Sequence, residues 1–251
     1  PWPHSLGHFY SAMTGFLGFA MLDGEYKMMG LAPYGSPDYL PFIRQNILLT
    51  DAPGSYRLNG DLLDYHAALK KQFHPKLLEA FGSPRLSDDA PFTERHRQIA
   101  ASAQAAFEEV VGDMASWAFQ QGGKRTNVAI AGGCGLNCSA NGKLLRDGPF
   151  TRMYVPPAPH DAGCAVGAAL LLHHERLGKP RQFEMTHAYY GPAYGEQDIG
   201  RALCALGLEA RPMADEEALL QRAVQALCSG QILAWFQGPM EFGPRALGSR
   251  S

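Results

Sequence analysis

The stretch Val128–Leu145, VAIAGGCGLNCSANGKLL, together with the residues that follow it to Leu177, decides the fold class. Asn127–Ala131 is an apolar run that ends in a glycine-rich turn, and a helical pattern then continues to Arg146. A second apolar run, Met153–Val155, leads through a proline-rich loop into a helical pattern from about Ala162 to Leu177. Strand, helix, strand, helix with short connections predicts an α/β fold, a parallel or mixed sheet covered by helices. Ligands of such sheets sit outside the carboxyl ends of the strands, where helix N-termini aim backbone N–H groups at anions.

Three loops hold that position. The first is Ala131–Asn137, in which Gly132 and Gly133 let the backbone approach a ligand and Asn137 offers an amide donor and acceptor. It is neither G-x-G-x-x-G nor a P-loop, and read alone it favours a tight strand-to-helix turn. The second, Pro156–Gly163, stiffens the approach to Asp161 ahead of the small residues Ala165, Gly167, Ala168 and Ala169. A fixed carboxylate there reads as an N-cap or as a hard-metal ligand. The third, Gln237–Ser251, presents Glu241, Arg245, Arg250 and Ser251 among glycines, and guanidinium forks suit phosphate and carbamoyl oxygens.

Outward from these loops, His4–Phe19 places Leu6, Tyr10, Met13 and Leu17 at helical spacing. Met28–Gly35, MMGLAPYG, reads as an irregular apolar loop, and residues 52–75 as a hairpin around Asn59–Gly60. Ser87–Gln121 carries the longest helical pattern, with SDDAPF as its cap, Pro91 near its first turn, and a stripe of Ile99, Ala103, Phe107, Val110, Val111, Met114 and Ala118. The tail repeats the α/β order with a helix around Glu217–Cys228 and a strand at Ile232–Phe236. His4 and His8 share a helix face, yet no H-E-x-x-H accompanies them, and Cys134 and Cys138 read as small buried residues.

Composition narrows the classes. The 251 residues are 46% apolar and 18% charged, with 28 Gly and 18 Pro, which is globular and rich in turns. A net charge of -2 from 22 basic and 24 acidic residues, without a basic stripe, argues against nucleic acid or an anionic membrane as partner. Ser5–Leu22 is uncharged but interrupted by glycine and hydroxyl residues, so it reads as a buried helix rather than a membrane span or signal peptide. Five cysteines without a C-x-x-C pair suggest reduced thiols and a cytoplasmic location. The start at Pro1 and the end inside the Gly/Arg-rich run read as a segment of a longer polypeptide.

The ordered blocks PHSLGHFYSAMTGFLGF, GEYKMMGLAPYG, VAIAGGCGLNCSANGKLL, VPPAPHDAGCAVGAAL, YYGPAYGEQDI and GPMEFGPRALGSRS closely resemble the O-carbamoyltransferases of nodulation-factor and antibiotic tailoring, along the whole chain. The resemblance implies an actin-like ATPase (ribonuclease H-like) domain, incomplete here, over 1–190, related to the tRNA threonylcarbamoyl transferases. It also implies that 191–251 connects to a carbamoyl-adenylate-forming domain, truncated here. On that likeness Gly132, Gly133 and Asn137 match the nucleotide-contacting loop, Gly35 a ribose-side glycine, and Glu25 and Lys27 the same nucleotide-proximal block. Asp161 matches the aspartate that binds an iron-like divalent metal. Arg245, Arg250 and Ser251 match the entry to the part that handles carbamoyl phosphate, with Arg245 as a catalytic candidate. The implied cofactors are ATP, as carbamoyl-adenylate, and Fe2+ or a similar ion. The implied partners are carbamoyl phosphate, a small-molecule hydroxyl acceptor and a second copy in a homodimer.

The family's metal-binding histidine pair and first phosphate loop lie upstream of the PHSLG block, so this segment alone is expected to be inactive. Three other readings compete: threonylcarbamoyl transfer to tRNA, a sugar or acetate kinase, and a non-catalytic nucleotide-binding module. The charge balance and the MEFGPRALGSRS block speak against the first, and the lack of a phosphate loop against the second.

Overall fold

A computed structural model describes residues 3–64 and 73–244. The chain divides into two compact units, Pro1–Val155 and Pro156–Ser251.

The first unit is organised on one long helix. In chain order it contains α1 (Leu6–Phe16), α2 (Glu25–Leu31), α3 (Leu40–Asn46), the hairpin β1 (Leu48–Ala52) and β2 (Ser55–Leu58), and α4 (Pro75–Phe81). These are followed by α5 (Glu94–Gln121), β3 (Asn127–Ala129), α6 (Cys138–Asp147) and β4 (Arg152–Tyr154). Helices α1, α2, α3 and α6 all pack on α5. The apolar spacing read for α1 holds: Leu6, Phe9, Tyr10, Ala12, Met13 and Phe16 are buried. At one end of the core, Phe16, Tyr39 and Phe42 gather round Phe81, with ring centroids 5.2 to 5.6 Å apart.

Helix α5 starts later than its sequence suggests. Its N-cap is Thr93, whose hydroxyl accepts from His96 N while Thr93 N donates to His96 Nδ1 at 3.1 Å, a capping box with histidine in the third position. The preceding SDDAPF run wraps instead around the buried Arg85 guanidinium. Arg85 Nε donates to Ala90 O at 2.7 Å, Nη1 to Leu17 O at 3.1 Å and Nη2 to Asp88 O. The guanidinium lies 3.9 Å from the Phe92 ring centroid. The stripe of α5 is buried through Val110, whereas Met114 and Ala118 are exposed.

Two further expectations are corrected here. Residues 28–35 are regular: α2 runs to Leu31, and a 3-10 turn (Ala32–Tyr34) follows, with Pro33 in its first turn, where a missing N–H leaves no bond unmade. The hairpin turns at Pro53–Gly54, where Gly54 has φ +71°, and pairs Leu48 with Leu58 and Ala52 with Ser55. Asn59 instead closes the end of the hairpin, donating from its backbone N to Ile47 O and from Nδ2 to Asn46 O, both at 2.9 Å.

The β3–α6–β4 unit confirms the strand-helix-strand reading. Its two strands are parallel, with Val128 opposite Met153. The α/β class stands, but the described strands form two separate two-stranded sheets rather than one broad sheet.

The second unit contains α7 (Gly163–Leu171), continued by a π-type turn over Leu172–Arg176, then α8 (Glu196–Ala205) and α9 (Glu216–Cys228). None of its three helices has a buried residue. Local chemistry forms them: Asp215 Oδ1 accepts from Ala218 N at 2.8 Å, and Asp198 Oδ2 accepts from Gly195 N at 3.1 Å. The expected strand at 232–236 is absent; no described neighbour offers it a ladder, and Ile232 is wholly exposed.

Candidate functional site

The carboxyl end of β3 leads into the one described residue of the parallel unit with positive φ. Ile130 N still donates to Tyr154 O at 2.9 Å, and the chain then breaks at Gly132, whose φ of +97° favours glycine. A 3-10 turn over Gly133–Leu136 follows and delivers the chain to Asn137, the N-cap of α6. Gly132 and Gly133 are exposed, and a Cβ built on either meets nothing within 4 Å. The turn therefore presents an open, side-chain-free edge at the start of a helix, a geometry that suits an anion.

Behind that edge lies a buried polar network. Asn137 Oδ1 accepts from Ala140 N and from Gln104 Nε2, both at 3.0 Å, and Asn137 Nδ2 donates to Gln104 Oε1 at 3.0 Å. Tyr10 donates its hydroxyl to the same Gln104 oxygen at 2.6 Å. Gln104 Nε2 also donates to Glu108 Oε1 at 2.8 Å, and Lys143 of α6 reaches Glu108 Oε2 at 3.2 Å. Burial pushes the Tyr10 phenol well above its ordinary pKa, which keeps it a donor. Asn137 was expected to offer a ligand both a donor and an acceptor. Its oxygen is already saturated, and its nitrogen meets the Tyr10 hydroxyl as well as Gln104, so the side chain is committed within the network.

The other residues expected near a nucleotide are engaged within the fold. Glu25 accepts from Ser11 Oγ at 2.5 Å and from Leu22 N at 2.8 Å, holding Leu22 at φ +66°. Lys27 pairs with Asp88, and that hydrogen bond holds its ammonium above the usual lysine pKa. Gly35 touches the α5 backbone at Arg97, about two turns, roughly 10 Å, along the helix from Gln104. Met29 of α2 meets α6 directly, with Cys138 Sγ 3.8 Å from its sulfur.

The cysteines of this unit differ from each other. Cys134 is half-buried, which raises its thiol pKa, whereas Cys138 is exposed, contrary to the sequence reading. His4 is no ligand candidate: its Nδ1 accepts from Leu58 N at 3.1 Å and ties the chain start to β2.

In the second unit, Asp161 is exposed, and among the described residues its carboxylate makes no hydrogen bond or ion pair. The N-cap of α7 is Ala162, with no side-chain cap, so the capping role read for Asp161 does not hold. Gly163 is fixed by close approach: a Cβ there would lie 2.1 Å from Ala158 O. Asp161 could serve as one metal ligand, but among the described residues no group of three His, Cys, Asp or Glu forms a metal centre. Arg245, Arg250 and Ser251 lie outside the described residues.

Sequence reading did not single out Gln104 or Glu108. The available signal was a lone amide amid the alanines of the buried face of α5. Among the described residues no helix is long and apolar enough to cross a membrane.

Comparison with known proteins supplies an independent line. Residues 1–170 match the family model described as carbamoyltransferase N-terminus, and residues 224–251 the one described as carbamoyltransferase C-terminus. An uncharacterised protein of Synechocystis sp. is 42% identical over 254 residues, covering 99% of this chain and 41% of that protein. Nodulation protein NolO of Bradyrhizobium diazoefficiens is 38% identical over 253 residues, covering 100% and 43%. The 3′-hydroxymethylcephem-O-carbamoyltransferase of Streptomyces clavuligerus is 28% identical over 236 residues, covering 92% and 39%. The chain thus spans about two fifths of the length of these curated relatives.

Proposed function

The chain belongs to the carbamoyltransferase family, and from that premise we propose that it forms part of an ATP-dependent O-carbamoyltransferase. In this reading water cleaves carbamoyl phosphate to carbamate and inorganic phosphate, a carbamate oxygen attacks the α-phosphorus of ATP and expels pyrophosphate, and a hydroxyl of a small natural product or sugar receives the carbamoyl group from the resulting carbamoyl-adenylate. The hydroxyl oxygen bonds to the carbamoyl carbon, the bond from that carbon to the adenylate oxygen breaks, AMP departs, and the hydroxyl proton is lost to solvent.

One observation carries the placement of the nucleotide: the open edge at Gly132–Gly133, at the carboxyl end of β3 and one 3-10 turn ahead of α6. An anion can approach the backbone there without side-chain obstruction, and Asn137 holds the turn from behind. Lys27 would join this site by exchanging Asp88 for a phosphate. Glu25 and Gly35 then act by shaping α2 and its exit against α5. Asp161 is this chain's proposed contribution to a divalent metal of the iron type, an ion that would supply Lewis-acid polarisation of the carbamoyl carbonyl. Arg245, Arg250 and Ser251 are assigned to carbamoyl phosphate on family likeness.

We further propose an actin-like ATPase fold over 1–190, a connection to a carbamoyl-adenylate-forming domain over 191–251, a cytoplasmic location and a homodimer. The test is calorimetric titration of the protein containing this chain with ATP, together with transfer of label from carbon-labelled carbamoyl phosphate to a hydroxylated acceptor. ATP-dependent labelling is expected. ATP binding without any transfer would favour a nucleotide-binding module, and an absence of both would end the proposal.

A further inference from the structure

Gln104 makes all four hydrogen bonds that its amide allows while only 6% exposed. The ends of the network fix its direction. Ala140 N can only donate and the Glu108 carboxylate accepts, so Asn137 must turn its oxygen toward the helix start and its nitrogen toward Gln104. Gln104 must then present its oxygen to Asn137 Nδ2 and Tyr10, and its nitrogen to Glu108 and Asn137 Oδ1. No other arrangement of the two amides satisfies every partner.

We propose that Gln104 is a positioning residue for the nucleotide-facing turn: it fixes the orientation of the Asn137 amide, and with it the backbone of Gly133–Asn137. The inference rests on the nucleotide reading above. Glu108 and Lys143 tie the same network to the outer face of α6, so the turn is held from both sides.

The experiment compares Gln104→Met with Ser102→Ala in the full protein. Ser102 is fully buried in the same helix, donates to Gln98 O at 2.6 Å and accepts from Tyr39 N at 2.9 Å, and has no part in the network. Both variants lose buried hydrogen bonds and both are expected to melt earlier. Gln104→Met is expected to weaken ATP binding about tenfold, the scale of one such bond. It should also raise KM for ATP with little change in kcat, and speed amide hydrogen exchange in residues 133–137. Ser102→Ala should change none of these. Should Gln104→Met fail to fold, Gln104→Glu keeps the shape and removes the two donors, with the same expected result. Equal effects from the Gln104 and Ser102 variants, or unchanged exchange in the turn, would overturn the proposal. If the unaltered protein binds no ATP, the nucleotide reading fails while the exchange measurement still decides the role of Gln104.

Discussion

Gly35 and Arg97 are in main-chain contact: a Cβ on Gly35 would lie 2.3 Å from both the carbonyl carbon and the carbonyl oxygen of Arg97. This contact lets the exit of α2 close against the long helix. A backbone cannot swing aside as a flexible side chain can, so Gly35→Ala is expected to cost about 3 kcal/mol, the upper end for overpacking. Urea unfolding measures it. A stable Gly35→Ala protein with impaired ATP binding would instead place the ligand against Gly35 itself.

Gly132 and Gly133 separate conformational need from ligand access. Gly132→Ala should lose about 1 kcal/mol or more because of its positive φ. Gly133 has no such constraint and open space around it, so Gly133→Ala should fold within about 0.5 kcal/mol of the unaltered protein. If ATP approaches that edge, the added methyl should weaken its binding about tenfold. Calorimetry on both variants checks this, and unchanged ATP affinity in Gly133→Ala would remove the nucleotide from the turn.

His96 gives the first unit a pH dependence. Burial, with Arg95, Arg85 and Arg97 nearby, lowers its pKa below the ordinary 6.5, and its Nδ1 must stay unprotonated to accept from Thr93 N. The folded state thus binds the proton less readily than the unfolded chain. The stability this confers is fully present above pH 6.5 and is lost as pH falls through the lowered folded value. The urea midpoint should therefore drop on acidification below that pH, and less steeply in His96→Asn. Equal slopes in the two proteins would show that His96 does not carry the effect.

Asp161 has nothing to lose by substitution except a ligand. Its carboxylate is exposed and has no partner among the described residues, so Asp161→Asn should shift stability by less than about 0.5 kcal/mol. Metal content, measured by elemental analysis of the purified protein, should fall together with carbamoyl transfer. Retention of both would free Asp161 of the proposed role.

The parts of this molecule visible in its sequence are those written locally. The spacing of Leu6, Tyr10 and Met13 gave α1, and the alternation around Gly132–Gly135 gave the parallel unit, because each depends on neighbours a few residues away. Three features depended on distant partners and were not legible. The hairpin turns at Gly54, which is seated against Trp117 and donates its N–H to Asp113, rather than at Asn59–Gly60. SDDAPF resembles a cap until the Arg85 guanidinium, anchored on the remote Leu17 O, gathers its carbonyls. Gln104 looks like an ordinary helix residue until Tyr10 and Asn137, both remote in sequence, meet it.

Burial in this chain is unevenly distributed: in the described part of the second unit, only Ala158 and Pro159 are buried. Cooperative unfolding requires elements that lose their shared interior together, and α7, α8 and α9 have no buried residue to share. In denaturant, the sharp transition should come from the helices around α5 alone, with a slope set by the surface of that unit and too shallow for 251 residues. The three helices of the second unit should fade gradually, as short isolated helices do. A melting curve of this chain therefore reports on the Gln104 network and the turn it supports, and is nearly blind to the segment that carries Asp161.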